Sequence, residues 1–208
     1  MARRLRTGID VLDRMLGGGI PPGSVVAITA NPASQSELLL YELTATRRTL
    51  YLSSKRSSAA VRDALERANT RVGNPNIQEL DPSSPLDHAA HQLRALPEEC
   101  NLIVDPVDPL EAESATRYQN FLNTLQTHMI NTGGLSFLHC LKGRAIADGR
   151  DTTEYMADVV FDLETTVRGD TIENRLTVPK FRGGRSLDEP IKLKLSERVS
   201  VDTSRDIA

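Results

Sequence analysis

The chain has 208 residues, of which 39% are hydrophobic, enough to bury one sizeable core. Its 25 basic and 28 acidic side chains leave a net charge of −3, which excludes a global positive field that would draw it to nucleic acid or to an anionic membrane. No apolar run approaches the ~20 residues of a membrane span, and no signal-peptide core follows residues 1–6. We therefore expect one cytoplasmic domain without membrane contact.

The hydrophobic pattern predicts alternating helices and strands up to residue 157. A short helix over 9–16 ends at three glycines, and a turn at 20–23 leads into a first core strand, 25–28. The following elements are predicted in order: helix 36–46, strand 49–53, helix 58–70, a loop with a short extended piece over 74–85, helix 86–96, strand 102–105, helix 114–131 and strand 135–140. Such alternation predicts a parallel sheet covered on both faces.

From residue 158 the pattern changes to successive extended segments joined by turns. The segments are 159–167, 174–180 and 191–195, and they predict an antiparallel extension of the sheet. We therefore expect a single domain over residues 1–208. It would consist of an N-terminal segment (1–24), a parallel α/β core (25–157) and a C-terminal β extension (158–208).

Cysteine and histidine positions do not predict a metal site. Cys100 and Cys140 adjoin strand-like runs and lack metal-ligand spacing, which is typical of buried thiols in a reducing compartment. His88 and His91 lie one helical turn apart, but no third ligand accompanies them.

Residues 25–40 have the frame of a phosphate-binding loop without its chemistry. A strand, a loop and a helix follow one another as such sites require, but the motif G-x-x-x-x-G-K-[S/T] is replaced by A-N-P-A-S-Q-S-E at 30–37. Ala30, Ala33 and Gln35 place β-carbons where the backbone must approach a phosphate closely.

The two residues at the end of this loop change its charge. Ser36 stands where the lysine would neutralise phosphates, and Glu37 replaces the hydroxyl that binds Mg²⁺. A carboxylate roughly 4 Å from a phosphate repels it by about 4 kcal/mol at an effective dielectric near 20. Ordinary ATP binding is therefore not expected.

The altered loop also contains an S-x-x-E capping box. In such a box the Ser34 hydroxyl accepts from the Glu37 amide, and the Glu37 carboxylate reaches back to the Ser34 amide. The helix end that a nucleotide would otherwise satisfy is then satisfied by protein. This pattern predicts a pocket closed by its own helix cap.

Four segments together resemble one protein family. They are T-G-I-D-V-L-D and L-G-G-G-I-P-P-G-S within 7–24, N-L-I-V-D at 101–105, A-D-V-V at 157–160 and L-T-V-P-K-F-R-G at 176–183. In this order they resemble the KaiC-like branch of the RecA ATPase superfamily, particularly its short single-domain archaeal members. The resemblance implies a RecA-like three-layer α/β/α fold, with a mostly parallel central sheet and antiparallel C-terminal strands.

The resemblance assigns expectations to five further residues. Asp105 ends the Walker B strand, whose aspartate holds Mg²⁺ through water in active relatives; the alternative is an ordinary acid at a strand end. Lys55 and Arg56 replace the family's catalytic glutamates, and stand as a solvated pair or form a phosphate or nucleic-acid patch. Lys180 and Arg182 match residues that reach the neighbouring subunit's nucleotide in oligomeric relatives; the alternative is that both face solvent.

These expectations favour a catalytically inactive RecA/KaiC-like domain that acts as a regulatory or scaffolding subunit through protein contacts. Its expected partner is an active RecA- or KaiC-type paralogue or a signalling protein, in a homo- or hetero-oligomer, and no cofactor is expected. One alternative is an ATPase that uses ATP, Mg²⁺ and Asp105 with an unconventional loop. Another is a DNA-recombination accessory protein, against which the near-neutral charge and the 4% aromatic content weigh.

Overall fold

The computed structural model describes residues 3–196 and 198–201. Their helices are α1 (Asp10–Met15), α2 (Glu37–Leu43), α3 (Ser58–Arg67), α4 (Pro85–Arg94), α5 (Asp108–Glu111), α6 (Ala115–Thr132) and α7 (Arg150–Met156). Their strands are β1 (Val25–Ala30), β2 (Thr49–Ser53), β3 (Asn76–Glu79), β4 (Asn101–Asp105), β5 (Leu135–Leu141), β6 (Val159–Arg168), β7 (Thr171–Phe181), β8 (Ile191–Leu195) and β9 (Val199–Val201).

All the described strands join one sheet in the order β3-β2-β4-β5-β1-β6-β7-β8-β9. The pairs from β3 to β6 are parallel, and those from β6 to β9 are antiparallel. Strand β1 lies between β5 and β6, and its Ala27 pairs with Leu138 on one side and Val160 on the other. The predicted mostly parallel sheet with antiparallel C-terminal strands is confirmed.

Alternate residues of the central strands face opposite sides of the sheet, as strand geometry requires. Val26 and Ile28 of β1 belong to one hydrophobic cluster, which also holds buried residues of α1, α2 and α3. Val25 and Ala27 belong to a second cluster, which holds buried residues of α4 and α6. Two apolar clusters separated by one sheet give the predicted three layers.

The short extended piece predicted within 74–85 is strand β3, which pairs in parallel with β2 at the sheet edge. Helices α5 and α7 and strand β9 are not in the sequence prediction. Strand β6, expected in the antiparallel extension, pairs in parallel with β1, so the antiparallel part begins at β7. The reason is α7, a crossover helix that was not predicted because its buried residues are the polar Arg150 and Thr153 and it therefore shows no apolar period.

A buried ionic cluster holds α7 in place. The Arg150 guanidinium donates to both carboxylate oxygens of Glu111, at 2.9 to 3.1 Å, and Glu111 is buried on α5. The Thr153 hydroxyl donates to Glu111 at 2.6 Å and contacts the Tyr118 hydroxyl at 2.6 Å. Because these groups satisfy one another away from water, they anchor α7 to α5 and α6 without an apolar face.

Cys100 and Cys140 are both buried and unbonded to each other, as predicted. Burial raises the pKa of both thiols, so they remain protonated at neutral pH. Within the described part of the chain, none of the helices combines the length and apolar character needed to cross a bilayer.

Candidate functional site

The carboxyl ends of four neighbouring parallel strands converge at one edge of the sheet. They bring together Tyr51 of β2, Asp105 at the end of β4, His139 of β5, and Ser36, which precedes α2 after the loop from β1. Arg56 enters from the loop that follows β2. In open parallel sheets this edge is the usual place for ligands, so the contacts of these side chains decide what the edge can do.

Both oxygens of the Asp105 carboxylate are engaged by the protein itself. Arg56 Nη2 donates to Oδ2 at 2.9 Å, and the Tyr51 hydroxyl donates to the same oxygen. His139 Nδ1 lies 2.6 Å from Oδ1. Asp105 is only 4% exposed, so the carboxylate faces these three side chains rather than solvent.

The hydrogen bonds continue from His139 to the loop between β1 and α2. Because an ionised carboxylate only accepts, Nδ1 of His139 carries the proton that binds Asp105. Nε2, on the other side of the ring, lies 3.1 Å from the Ser36 hydroxyl oxygen, within hydrogen-bond distance. The residue at the lysine position of the loop is therefore connected to the residue at the Walker B position.

Electrostatics keeps this cluster charged. Burial by itself would raise the pKa of Asp105, but the hydrogen bond and charge of His139, the hydrogen bond from Tyr51 and the charge of Arg56 outweigh it and lower the pKa to about 2. Burial lowers the pKa of Arg56, but its contacts with Tyr41, Tyr51 and Asp105 outweigh that effect and raise it. At neutral pH Asp105 and Arg56 form a true ion pair.

The predicted capping box is wrong. The Ser34 hydroxyl donates to the Asn31 carbonyl at 2.6 Å, and the Ser34 amide donates to the same carbonyl at 2.9 Å. Asn31 also accepts from the Ala33 amide through its side chain, at 2.8 Å. Because Ser34 makes its hydrogen bonds within this Asx turn, it does not cap α2. Ser36 is the residue that precedes the helix, and no side chain caps it.

The remaining predicted loop residues are divided between core and surface. Ala30 is buried at the end of β1, whereas Ala33 and Gln35 are exposed in the loop. Glu37 is half-buried in the first turn of α2, where its carboxylate lies near the Tyr41 hydroxyl. Ser36 is thus the only loop position among these whose side chain joins the Asp105 cluster.

Lys55 and Arg56 do not behave as one pair. Lys55 is exposed, as the solvated reading predicts. For Arg56 that reading is wrong, because its side chain is 33% exposed and points inward to Asp105 and to the Tyr41 hydroxyl, 3.1 Å from Nη1. The reason is the buried carboxylate, which attracts the nearest available cation.

Lys180 and Arg182 lie against the end of α7 in their own chain. Lys180 Nζ donates to the carbonyls of Glu154 and Tyr155, at 2.7 and 2.6 Å. Arg182 donates to the Tyr155 carbonyl at 2.9 Å and pairs with Asp158 at 3.3 Å. Cations at a helix C-terminus satisfy its free carbonyls, so both residues have an intramolecular use; a role toward a neighbouring subunit stays a prediction.

Sequence reasoning missed two participants and a neighbouring ion pair. Tyr51 and His139 lie inside apolar runs, where a single polar side chain within a strand gives only a weak signal. Lys142, just after β5, donates to Asp162 of β6 at 2.5 Å, and Thr29 of β1 donates to the same carboxylate at 2.6 Å. Only the order of the strands brings β5, β1 and β6 side by side.

The arrangement limits the chemistry that this edge can perform. A divalent cation at Asp105 would have to displace Arg56 or lie beside its charge, with a repulsion of several kcal/mol. Ser36, His139 and Asp105 share the hydrogen-bond order of a nucleophilic triad, but Ser36 is 2% exposed and meets no solvent-borne substrate in this conformation. In the described part of the chain, no cluster of three His, Cys, Asp or Glu side chains has metal-binding geometry.

Residues 4–208 match the profile of a family of unknown function, DUF7125, and the chain belongs to this family. It is also similar to DNA repair protein RadA from Mycobacterium tuberculosis, at 28% identity over 172 residues, and from Mycolicibacterium smegmatis, at 36% over 183 residues. These alignments cover 76% and 79% of this chain but 35% and 38% of the RadA proteins. The chain thus spans just over a third of the length of these curated relatives.

The fold is similar to that of a crystallised KaiC-like protein from the hyperthermophilic archaeon Pyrococcus horikoshii. The TM-score is 0.78 with 15% sequence identity, and the alignment covers 97% of this chain and 100% of the other. At this identity the likeness concerns the fold alone. It establishes a RecA/KaiC-like P-loop ATPase fold, as the four sequence segments predict.

Replacing Arg56 tests whether the ion pair holds this edge together. Arg56→Met keeps the length of the side chain but leaves the buried Asp105 charge without its cation, and should lower the free energy of unfolding by about 2 kcal/mol at pH 7. The exposed neighbour provides the control, because Lys55→Met should change it by less than about 0.5 kcal/mol. Urea denaturation measures both, and equal values for the two variants would contradict the proposed importance of the pair.

The low pKa of Asp105 also predicts a pH dependence. The folded carboxyl titrates at about 2, below the ~3.9 of an unfolded chain, so the unfolded state takes up the proton first as the pH falls. The contribution of about 2 kcal/mol is complete above about pH 5 and is lost as the pH falls through about 2. The unfolding free energy of Asp105→Asn should therefore fall less steeply with acid than that of the unchanged protein; parallel curves would contradict the shifted pKa.

Proposed function

We propose that this member of the DUF7125 family is a RecA/KaiC-like domain that does not hydrolyse ATP and works as a regulatory or scaffolding subunit through protein contacts. The observation that carries the proposal is the state of Asp105. Its carboxylate, at the position that holds Mg²⁺ in active relatives, is engaged by Arg56, Tyr51 and His139. A carboxylate that is already paired with an arginine of the same chain is unavailable to a metal ion.

The phosphate side of the site supports the same proposal. Ser36, at the lysine position, contributes no positive charge and has its hydroxyl directed to His139. The loop itself is folded into an Asx turn around Asn31 rather than into a cradle of free amides. Phosphate binding and metal binding are thus disfavoured by different residues, so a substitution that restores one of them would not restore the other.

An exposed apolar pair supports a role in protein contacts. Val167 and Ile172 are directly opposite each other at the tip of the β6–β7 hairpin, and they are 73% and 68% exposed. Cross-strand partners lie on the same face, so together they form one apolar patch at a projecting tip. A patch of this kind, next to the charged turn residues Arg168 and Asp170, is typical of a contact surface. We assign to it the contact with an active RecA- or KaiC-type ATPase.

Calorimetry with Mg·ATP tests the loss of nucleotide binding. The protein should show no binding tighter than about 1 mM, because metal and phosphate both lack their partners. A dissociation constant below about 100 µM, roughly 5.5 kcal/mol, would instead favour the ATP-binding alternative. The Arg56→Met protein is titrated alongside: binding gained by this variant assigns the closure to Arg56, and its continued absence assigns it to the altered loop.

Substitutions at the hairpin tip test the contact. Affinity capture from the native host should recover a RecA- or KaiC-type ATPase with the unchanged protein, and Val167→Ser combined with Ile172→Ser should reduce the recovery at least tenfold because the apolar patch is removed. Ile130→Ser is the matched control, since Ile130 is equally exposed on α6, at 70%. Identification of the captured proteins by mass spectrometry decides the result, and equal recovery by all three proteins would contradict the assignment.

A further inference from the structure

Arginines gather in two adjoining depressions on the part of the molecule formed by the N-terminal segment and the residues before β2. The first depression, of about 490 Å³, is lined by Arg3, Arg4, Arg6, Arg47 and Arg71. The second, of about 370 Å³, shares Gly8, Asp10 and Arg71 with the first and adds Arg14 and Arg198. We call the two depressions together the arginine groove. Arg47 precedes β2, so the groove lies toward the amino ends of the strands, away from Asp105.

Positive charge exceeds negative charge in this groove. Seven arginines line it, against the carboxylates of Asp10 and Glu42. Two further carboxylates neutralise arginines from outside the lining: Glu99 pairs with Arg3, and Asp13 pairs with Arg6. The described groove therefore holds seven cations against four anions, although the whole chain has a net charge of −3.

Three of the guanidinium groups, those of Arg4, Arg47 and Arg71, make no ion pair among the described residues. Arg47 donates to the Asn101 side-chain oxygen at 3.0 Å and to the Arg6 carbonyl at 3.2 Å, both of which are uncharged acceptors. Arg4 donates to the Gly183 carbonyl at 2.9 Å, and its Nη1 is buried without a hydrogen-bond partner among the described residues. Within residues 3–196 and 198–201, no carboxylate lies within ion-pair distance of Arg71.

Arg47 is half-buried and makes no ion pair, so its charge is only partly compensated. Burial lowers the pKa of Arg47; the charges of Asp13 and Glu99 oppose this effect without outweighing it, and the charge of Arg3 adds to it. An anion in the groove would supply further counter-charge to Arg47. The planar guanidinium fork matches the oxygens of a phosphate, with two parallel hydrogen bonds.

We propose that the arginine groove binds single-stranded nucleic acid through its phosphodiester backbone. The two joined depressions share Gly8, Asp10 and Arg71 and so form one continuous site, whose arginines can contact several phosphates of one flexible strand. The sparse aromatic residues provide no stacking platform, and binding is therefore independent of base sequence. This proposal does not depend on whether the Asp105 site binds nucleotide.

Fluorescence anisotropy with a labelled oligothymidine of about 20 nucleotides tests the proposal. Binding at 50 mM salt should weaken with added salt, with a log–log slope near −2 if about three phosphates are contacted. Arg47→Gln combined with Arg71→Gln should weaken binding at least tenfold and reduce the slope by about 1.4. Arg117→Gln is the matched control, because Arg117 is exposed on α6, remote in sequence from the groove residues, and should bind within twofold of the unchanged protein.

The proposal would be overturned by the absence of binding at 50 mM salt, or by unchanged binding of the double variant. It would also be overturned if polyglutamate displaced the labelled oligonucleotide as well as unlabelled oligonucleotide does at the same charge concentration, because that result would assign the groove to an acidic protein. Tighter binding of a duplex than of the single strand would also contradict it. Because Arg47 contacts Asn101, its replacement can affect folding. Arg14→Glu combined with Arg71→Glu provides a second variant, since both side chains are exposed, and it should weaken binding at least as strongly.

Discussion

The buried charge of Asp105 is the constraint on which the candidate site depends. An ionised carboxylate away from water must be compensated, and in a nucleotide-binding relative the magnesium ion contributes to this compensation. Here Arg56, Tyr51 and His139 provide it, and each comes from a different parallel strand or from the loop after one. The same contacts that stabilise the fold at this edge are the ones on which the proposed loss of nucleotide chemistry rests.

The position of Ser36 in the loop between β1 and α2 depends on this cluster. Ser36 joins the cluster through His139, while Asn31 organises the remaining loop residues as a turn. Under the proposed function the loop surrounds no phosphate and has no need for glycine, so its surface positions tolerate Ala33 and Gln35. Loss of the ligand and loss of the motif are then two consequences of the same substitution of protein charge for ligand charge.

The two proposed contact surfaces lie at opposite ends of the parallel strands. The hairpin tip, with Val167 and Ile172, extends beyond the carboxyl end of β1, at the edge of the sheet where Asp105 also lies, whereas the arginine groove lies near the amino ends of the strands. The RecA/KaiC-like fold provides a rigid sheet on which such surfaces are held at fixed positions, independently of what its nucleotide edge does. The overall charge of −3 gave no indication of the groove, because composition averages over faces that the fold separates.

The sequence by itself determined the alternation of strands and helices, the three layers and the absence of the phosphate-loop motif, because apolar periodicity and motif spacing are local properties. It did not determine α7, whose anchoring by Arg150 and Glu111 is polar, nor the partners of Asp105. His139 and Tyr51 lie 34 and 54 positions away from Asp105 in the chain and meet it only because β2, β4 and β5 are neighbours in the sheet. Strand order is set by packing and crossover geometry over the whole domain, so only the tertiary structure decided which side chain compensates the buried charge.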